Sequence, residues 1–419
     1  MKHILAIILS ILLSSNFLFA SYILIPMDDS QKNHLKSYGI AYWSLQNDIE
    51  VDWLLNYKGG SFLTKYYKEI EEECVIRGVS YAVIADFQAQ QIFNEIMRPD
   101  INMDRVKLEK APKIAVYSPK NKLPWDDAVT LVLSYSEIPY DIIYDKEIIE
   151  GDLSKYDWLH LHHEDFTGQY GKFYGSYANT TWYQLNKNEL EASALELGFN
   201  KVSEMKKFVA RAIRNYVYNG GFLFAMCSAT DTYDIALSTE NVDICMPMFD
   251  GDNTDADFQS KIDYSKTFAF KDFVLSKNPY EYEFSNIDAT NFRKVTPDKD
   301  YFYLFEFSAK WDPIPTMLCQ NHTSIIKGFM GQTTAFNKNL IKSSVLIMGE
   351  NKLLNEARYI HGELNKGTWT FYGGHDPADY QHFVGDPKTD LDLHPNSPGY
   401  RLILNNILFP AAKKKKMKT

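Results

Sequence analysis

Cysteine is scarce. The 419 residues hold four, Cys74, Cys227, Cys245 and Cys319, and none falls in a CxxC pair or a zinc-ribbon spacing. That excludes a disulfide-built scaffold and a cysteine-based zinc ribbon. Long apolar runs are scarce too, and no segment is long and apolar enough to cross a bilayer. A basic surplus is also lacking. The formal net charge is −10 although five lysines sit in the tail 413–419, so the body is more acidic still. An acidic body argues against nucleic acid as a partner. No internal repeat is present, and no low-complexity stretch precedes the tail.

At the N-terminus, Met1-Lys2-His3 precedes an apolar run from Ile4 to Leu13, and a small residue, Ala20, follows Phe17-Leu18-Phe19. A charged start, a short apolar segment and a small residue at a cut site read as a signal peptide over 1–20. The sequence therefore predicts an exported, periplasmic or extracellular, soluble protein. Residues 21–110 read as a first α/β segment of β-α-β-α-β type. Its strands are Tyr22–Pro26, Val51–Tyr57 and Ser80–Ile84, with a turn at Gly59-Gly60-Ser61 and a helix through Cys74. Residues 111–412 read as one larger domain with insertions at 166–200 and 240–343. Strands are expected at 113–118, 140–144, 157–162, 222–226, 301–307, 316–318, 344–348, 357–360 and 367–372. Helices are expected at 125–138, 204–218, from 232 and near 400–408. The alternation predicts an α/β fold with a doubly wound parallel, flavodoxin-like sheet.

Three patterns carry chemistry. The first is Gly220-Gly221-Phe222-Leu223-Phe224-Ala225-Met226-Cys227-Ser228-Ala229. A buried strand runs straight into a nucleophile-type residue between small neighbours and before a helix, which is the layout of a nucleophile elbow. Backbone N–H groups after such a turn can stabilise a thiolate or an oxyanion. The alternatives for Cys227 are a buried strand-end residue or a disulfide with Cys245. The second is Gly373-Gly374-His375-Asp376-Pro377, a histidine just past a predicted strand. The third is His160-Leu161-His162-His163-Glu164-Asp165. Its reading as a wall that orients substrate stands beside a metal site made of His162 or His163 with Glu164 and His375. No cofactor is expected from the sequence, and a divalent metal is the one alternative to that. An acidic loop with Asp250, Asp252 and Asp255 reads either as a surface loop or as a calcium site.

The first two patterns resemble the class I glutamine-amidotransferase-like superfamily, including its ThuA-like branch. The resemblance covers about 111–237 and 344–410. It implies Cys227 as nucleophile, His375 as base and the Ser228 N–H in an oxyanion site. The family's elbow glycines are Ala225 and Ala229 here, and its Pro-Glu after the histidine is Asp376-Pro377, so Asp376 stands in for the acid. The whole chain also resembles secreted proteins of Bacteroidetes-type bacteria that go by the name asparagine synthetase B. Shared-looking stretches are 113–129, 158–173, 328–334, 362–376 and 396–412. True glutamine-dependent asparagine synthetases carry Cys at position 2 and a Ser-Gly-Gly-x-Asp-Ser loop. This chain has neither, so ATP-dependent asparagine synthesis is not expected. The expectation is a Cys-dependent hydrolase of an amide or acyl bond. The alternative is a non-catalytic binding protein for a carbohydrate, peptide or metal at the same sheet mouth.

Overall fold

The computed structural model describes residues 20–119, 127–383 and 385–412. The predicted leader, apart from Ala20, and the lysine tail lie outside the described residues. No helix among the described residues is long and apolar enough to cross a membrane.

The N-terminal part runs β1 (Ala20–Ile25), α1 (His34–Gln46), β2 (Val51–Leu55), β3 (Ser61–Lys65), α2 (Lys68–Ile76), β4 (Ala82–Ala85), α3 (Asp86–Ile96) and β5 (Asp104–Leu108). Its sheet order is β4-β1-β3-β2-β5, and every pairing in it is antiparallel. A β-α-β-α-β order of this kind implies parallel strands, and the observed pairing corrects that. The stretch read as a turn leading into a helix holds a strand, β3. Asn56, Gly59 and Gly60 all take left-handed backbone, with φ of 62°, 73° and 90°. They fold β2 back on β3 as a hairpin, and a hairpin is antiparallel by construction. A side chain at Gly60 would lie 2.3 Å from Gln320 Oε1, so the turn also needs glycine for space.

The second sheet holds β6 (Ile114–Tyr117), β7 (Asp141–Ile143), β8 (Trp158–Leu161), β9 (Phe222–Met226), β10 (Tyr301–Leu304), β11 (Ile325–Lys327), β12 (Phe336–Asn337), β13 (Leu346–Asn351), β14 (Glu356–Leu364) and β15 (Gly367–Tyr372). Its order is β11-β10-β13-β14-β15-β9-β8-β6-β7, with β12 also on β14. The expected doubly wound parallel sheet is overturned by this pairing. Parallel contacts run only from β15 through β9, β8 and β6 to β7. The rest of the sheet is antiparallel. Between β14 and β15 there is room only for Asn365-Lys366, with Asn365 at φ 55°. A two-residue connection cannot make a parallel crossover.

Helices packed on the parallel part are α4 (Ala128–Tyr135), α5 (Asp145–Ile149), α7 (Val202–Tyr218), α8 (Ala229–Ser238) and α10 (Pro398–Leu408). Helix α6 (Thr181–Glu196) lies in the first insertion. The run 316–318, read as a strand, belongs to a short helix α9 (Pro313–Leu318) that opens on proline, a residue pre-set for a first helical turn. Helix α7 buries Met205, Val209, Ala210, Ile213 and Val217, one stripe at helical spacing. One apolar core joins Leu35, Tyr38 and Trp53 of the first sheet layer to Leu402, Ile403 and Ile407 of α10, so the two sheets share packing.

Register positions the site. Tyr372 of β15 pairs with Met226 of β9, and Leu161 of β8 pairs with Ala225. Three neighbouring parallel strands therefore end together. The residues that follow them, His162–Glu164, Cys227 and His375, emerge at one mouth.

Candidate functional site

Four histidines and one aspartate crowd this mouth. Asp127 caps α4, with Oδ1 accepting the N–H of Val129 at 2.7 Å and of Thr130 at 3.1 Å. The same oxygen lies 3.3 Å from His160 Nε2 and 3.2 Å from His162 Nδ1. Burial opposes the charge on Asp127, yet the two imidazoles hold its carboxyl well below the ordinary range. An ionised carboxylate only accepts, so the His162 nitrogen nearest to it, Nδ1, is the one suited to donate, while Nε2 points away from it. The His162 ring lies 4.6 Å from that of His163 and 4.7 Å from that of His375. Burial, with His162 and His375 alongside, pushes His163 well below its ordinary value, so its ring is neutral near pH 7.

His375 arrives on a close-fitting backbone. A side chain at Gly373 would sit 2.6 Å from Thr334 O, and Gly374 has φ +99°. The His375 N–H donates to Met330 O at 2.9 Å, tying the strand end to the 328–334 loop. The ring of His382 stacks on His375 at 5.1 Å, and its Nδ1 lies 3.0 Å from Asp379 Oδ2. Asp376, the expected acid, is buried and committed to its own loop. It accepts the Ala378 N–H at 2.9 Å and the Thr389 hydroxyl at 2.8 Å.

Beside His163 lies a small cleft with a cavity volume of about 30 Å³, lined among others by Tyr144, Glu164, Asp165, Tyr170 and Lys206. Tyr144 donates to Glu164 Oε2 at 3.1 Å. Lys206 on α7 is spent on Asp145, at 2.9 and 3.1 Å, and on the Tyr117 and Tyr144 hydroxyls. Burial pushes Glu164 up to about 7. Asp145 and Asp165 act the same way, against Lys206 and the Tyr144 hydroxyl.

Cys227 does sit on a sharp turn, with φ 53°. Its thiol is 2% exposed, and Sγ accepts the Gln332 N–H at 3.3 Å. The N–H groups of Thr333 and Ser228 also face it, but burial dominates and pushes the thiol up to about 11. Cys227 and Cys245 are both unbridged, and Cys245 donates to Thr167 O at 3.2 Å. Alkylation of the native protein near pH 7 is therefore expected to modify Cys227 only slowly. Mass mapping of a short iodoacetamide pulse checks this, and rapid labelling at Cys227 would show an accessible thiolate.

Behind the thiol, Asp231 is wholly buried. Oδ1 accepts the Thr333 hydroxyl at 2.9 Å and Oδ2 has no hydrogen-bond partner among the described residues. Burial raises its carboxyl from 3.8 to about 7. A carboxyl raised in the folded state binds its proton more tightly there, so its contribution is fully present below pH 4 and is lost as pH rises through 7. Asp231→Asn is expected to remove its share of that decline, making the fall of urea-unfolding stability between pH 4 and pH 7 shallower while Glu164 and Asp234 keep theirs. An unchanged slope would contradict the assignment.

The acidic loop gathers around a lysine. Lys201 Nζ lies 2.7, 3.2 and 2.6 Å from carboxylate oxygens of Asp243, Asp250 and Asp252, while Asp255 faces Lys261 at 3.6 Å. The cation that this loop holds is an ammonium, which occupies the place the calcium reading reserved for a metal.

Among the described residues, four groups bring three potential metal-ligand atoms within 4.8 Å of one another. They are His162/His163/His375, Asp127/His160/His162, Asp243/Cys245/Asp250 and Asp379/His382/Asp386. Sequence reasoning singled out His162, His163, Glu164 and His375 but not Asp127. Its link to the histidines had no local signal, because α4 and β8 lie some thirty residues apart in the chain. Lys206, Tyr144 and Asp231 were missed for the same reason.

No family model and no curated protein matches the chain. Among solved structures, the chain is similar to the cytoplasmic proteins STM3548 and STM1381 of Salmonella typhimurium. Identities are 10% and 12% and TM-scores 0.33 and 0.34, over 72% of this chain and all of each of theirs. A GH42 beta-galactosidase, Gan42B, matches at 11% identity and TM-score 0.28, over 64% of this chain and 28% of its own. Likeness at this level carries no argument about activity.

Proposed function

We propose that this protein is a hydrolase of an amide or related acyl bond, and that the reaction takes place where β8, β9 and β15 end. A water activated at the mouth attacks the carbonyl, and Glu164 moves the proton from water to leaving group. The carrying observation is Glu164 itself, a mostly buried carboxyl at about 7 that lines a small cleft beside His163. A general acid–base works best when its pKa lies near the working pH. The imidazoles of His162, His163 and His375 supply a cluster that suits either a polarising wall or a divalent ion.

A thiol mechanism is the second reading. The left-handed turn at Cys227 and the N–H groups around Sγ favour it. Its burial and raised pKa weigh against it. The signal-peptide pattern predicted over 1–20 favours action outside the cytoplasm, on a small-molecule, glycan or peptide substrate.

The test is a panel of chromogenic amides and esters assayed from pH 5 to pH 9. Turnover that depends on an ionisation near 7 supports the hydrolase. Binding of a panel compound without turnover at any pH overturns it in favour of the binding protein.

A further inference from the structure

We infer that His162, His163 and His375 form a binding site for one divalent metal ion of the zinc class. The site deepens the hydrolytic reading and rests on it for the ion's role, since the ion is what would activate the water.

Four observations carry the site. The three imidazoles present ligand atoms within 4.8 Å of one another, and closing them onto an ion at about 2.1 Å needs ring movements on the order of 1 Å. His162 is 1% exposed, and its Nε2 has no hydrogen-bond partner among the described residues. A buried polar atom left in that state costs free energy unless something occupies it. Asp127 lies 3.2 Å from the other nitrogen of the same ring, the position of the carboxylate that orients a metal-ligating histidine. Finally, the ligands come from the ends of two strands of one sheet, so rigid elements hold them.

The competing groups fit a metal less well. In Asp127/His160/His162, Asp127 already accepts two backbone N–H groups and His160 Nδ1 lies 3.2 Å from Phe224 O. Lys201 fills the Asp243/Cys245/Asp250 group. In Asp379/His382/Asp386, Asp386 is exposed and His382 Nδ1 is already engaged by Asp379.

Three imidazole nitrogen donors suit zinc and cobalt, and leave a fourth position for water. Glu164, next in the chain to His163, lines the adjoining cleft.

The experiment titrates Co²⁺ into the full chain after chelator treatment. Expected are 1:1 binding with a visible ligand-field band, a raised melting temperature, and loss of both in His162→Gln and His375→Gln. Asp127→Asn keeps the helix cap, because asparagine caps as well as aspartate. It should retain the band with affinity about 10- to 100-fold lower. His382→Gln should bind normally. If His162→Gln does not fold, His375→Gln with a wild-type melt decides. No band in the wild type, or a band unchanged in both ligand variants, overturns the site. Stoichiometric binding without hydrolysis would leave the site and sink the hydrolase. Hydrolysis undiminished after complete metal removal would keep the hydrolase and overturn the ion's part in activating the water.

Discussion

Replacing Asp300 by alanine is expected to destabilise the protein by about 3–5 kcal/mol, the usual cost of removing one partner from a buried ion pair. Asp300 sits just before β10 and is 1% exposed. Its carboxylate takes the Arg358 guanidinium at 3.0 and 3.2 Å and also pairs with Arg293, which in turn holds Glu356 at 3.0 Å. Arg358 is wholly buried. Without Asp300, two guanidinium groups face one carboxylate in a place water does not reach. The effect is expected to spread to the mouth. Arg358 also donates to Phe329 O and Thr334 O at 2.7 Å, so it fixes the loop that receives the His375 N–H. Urea unfolding measures the loss, and a change below about 1 kcal/mol would place the cluster among the weak surface pairs.

Replacing Glu164 by glutamine is expected to lower turnover by about 10²- to 10⁴-fold, the range that a positioned acid–base supplies. Glutamine keeps the size of the side chain and can still accept the Tyr144 hydroxyl. It cannot carry the proton. The fold is expected to survive, because the change removes a buried charge that desolvation already disfavours. The loss should therefore fall on kcat rather than on the melting temperature. A variant that keeps wild-type kcat would remove Glu164 from the reaction.

Much of the secondary structure was legible in the sequence, while the sheet topology was not. Strand β9 and its turn into α8 follow from Phe222–Met226 and the small residues around Cys227. The same runs that read as strands carry no mark of direction, so β13 and β14 were given the parallel sense that the alternating β and α pattern implies. Only the short connections, such as Asn365-Lys366, disclose the hairpins. Strand β3 was hidden because its start overlaps a glycine turn. The mouth was legible in part. His162, His163 and His375 lie beside predicted strand ends, where parallel sheets place ligands. What could not be read was burial. It turns Glu164 into a group near neutrality and pushes the Cys227 thiol away from reactivity. Both shifts come from burial by distant parts of the chain, with Asp145 adding to it at Glu164 and Lys206 and the Gln332 N–H acting against it.

The central claim is that hydrolysis runs through activated water at the histidine mouth and not through the Cys227 thiol. The most direct measurement is the turnover of Cys227→Ser on an amide that the wild type cleaves. The account predicts a rate within a few-fold of wild type. A fall as deep as that expected for Glu164→Gln, in a protein that melts normally, would contradict it and make the thiol the nucleophile.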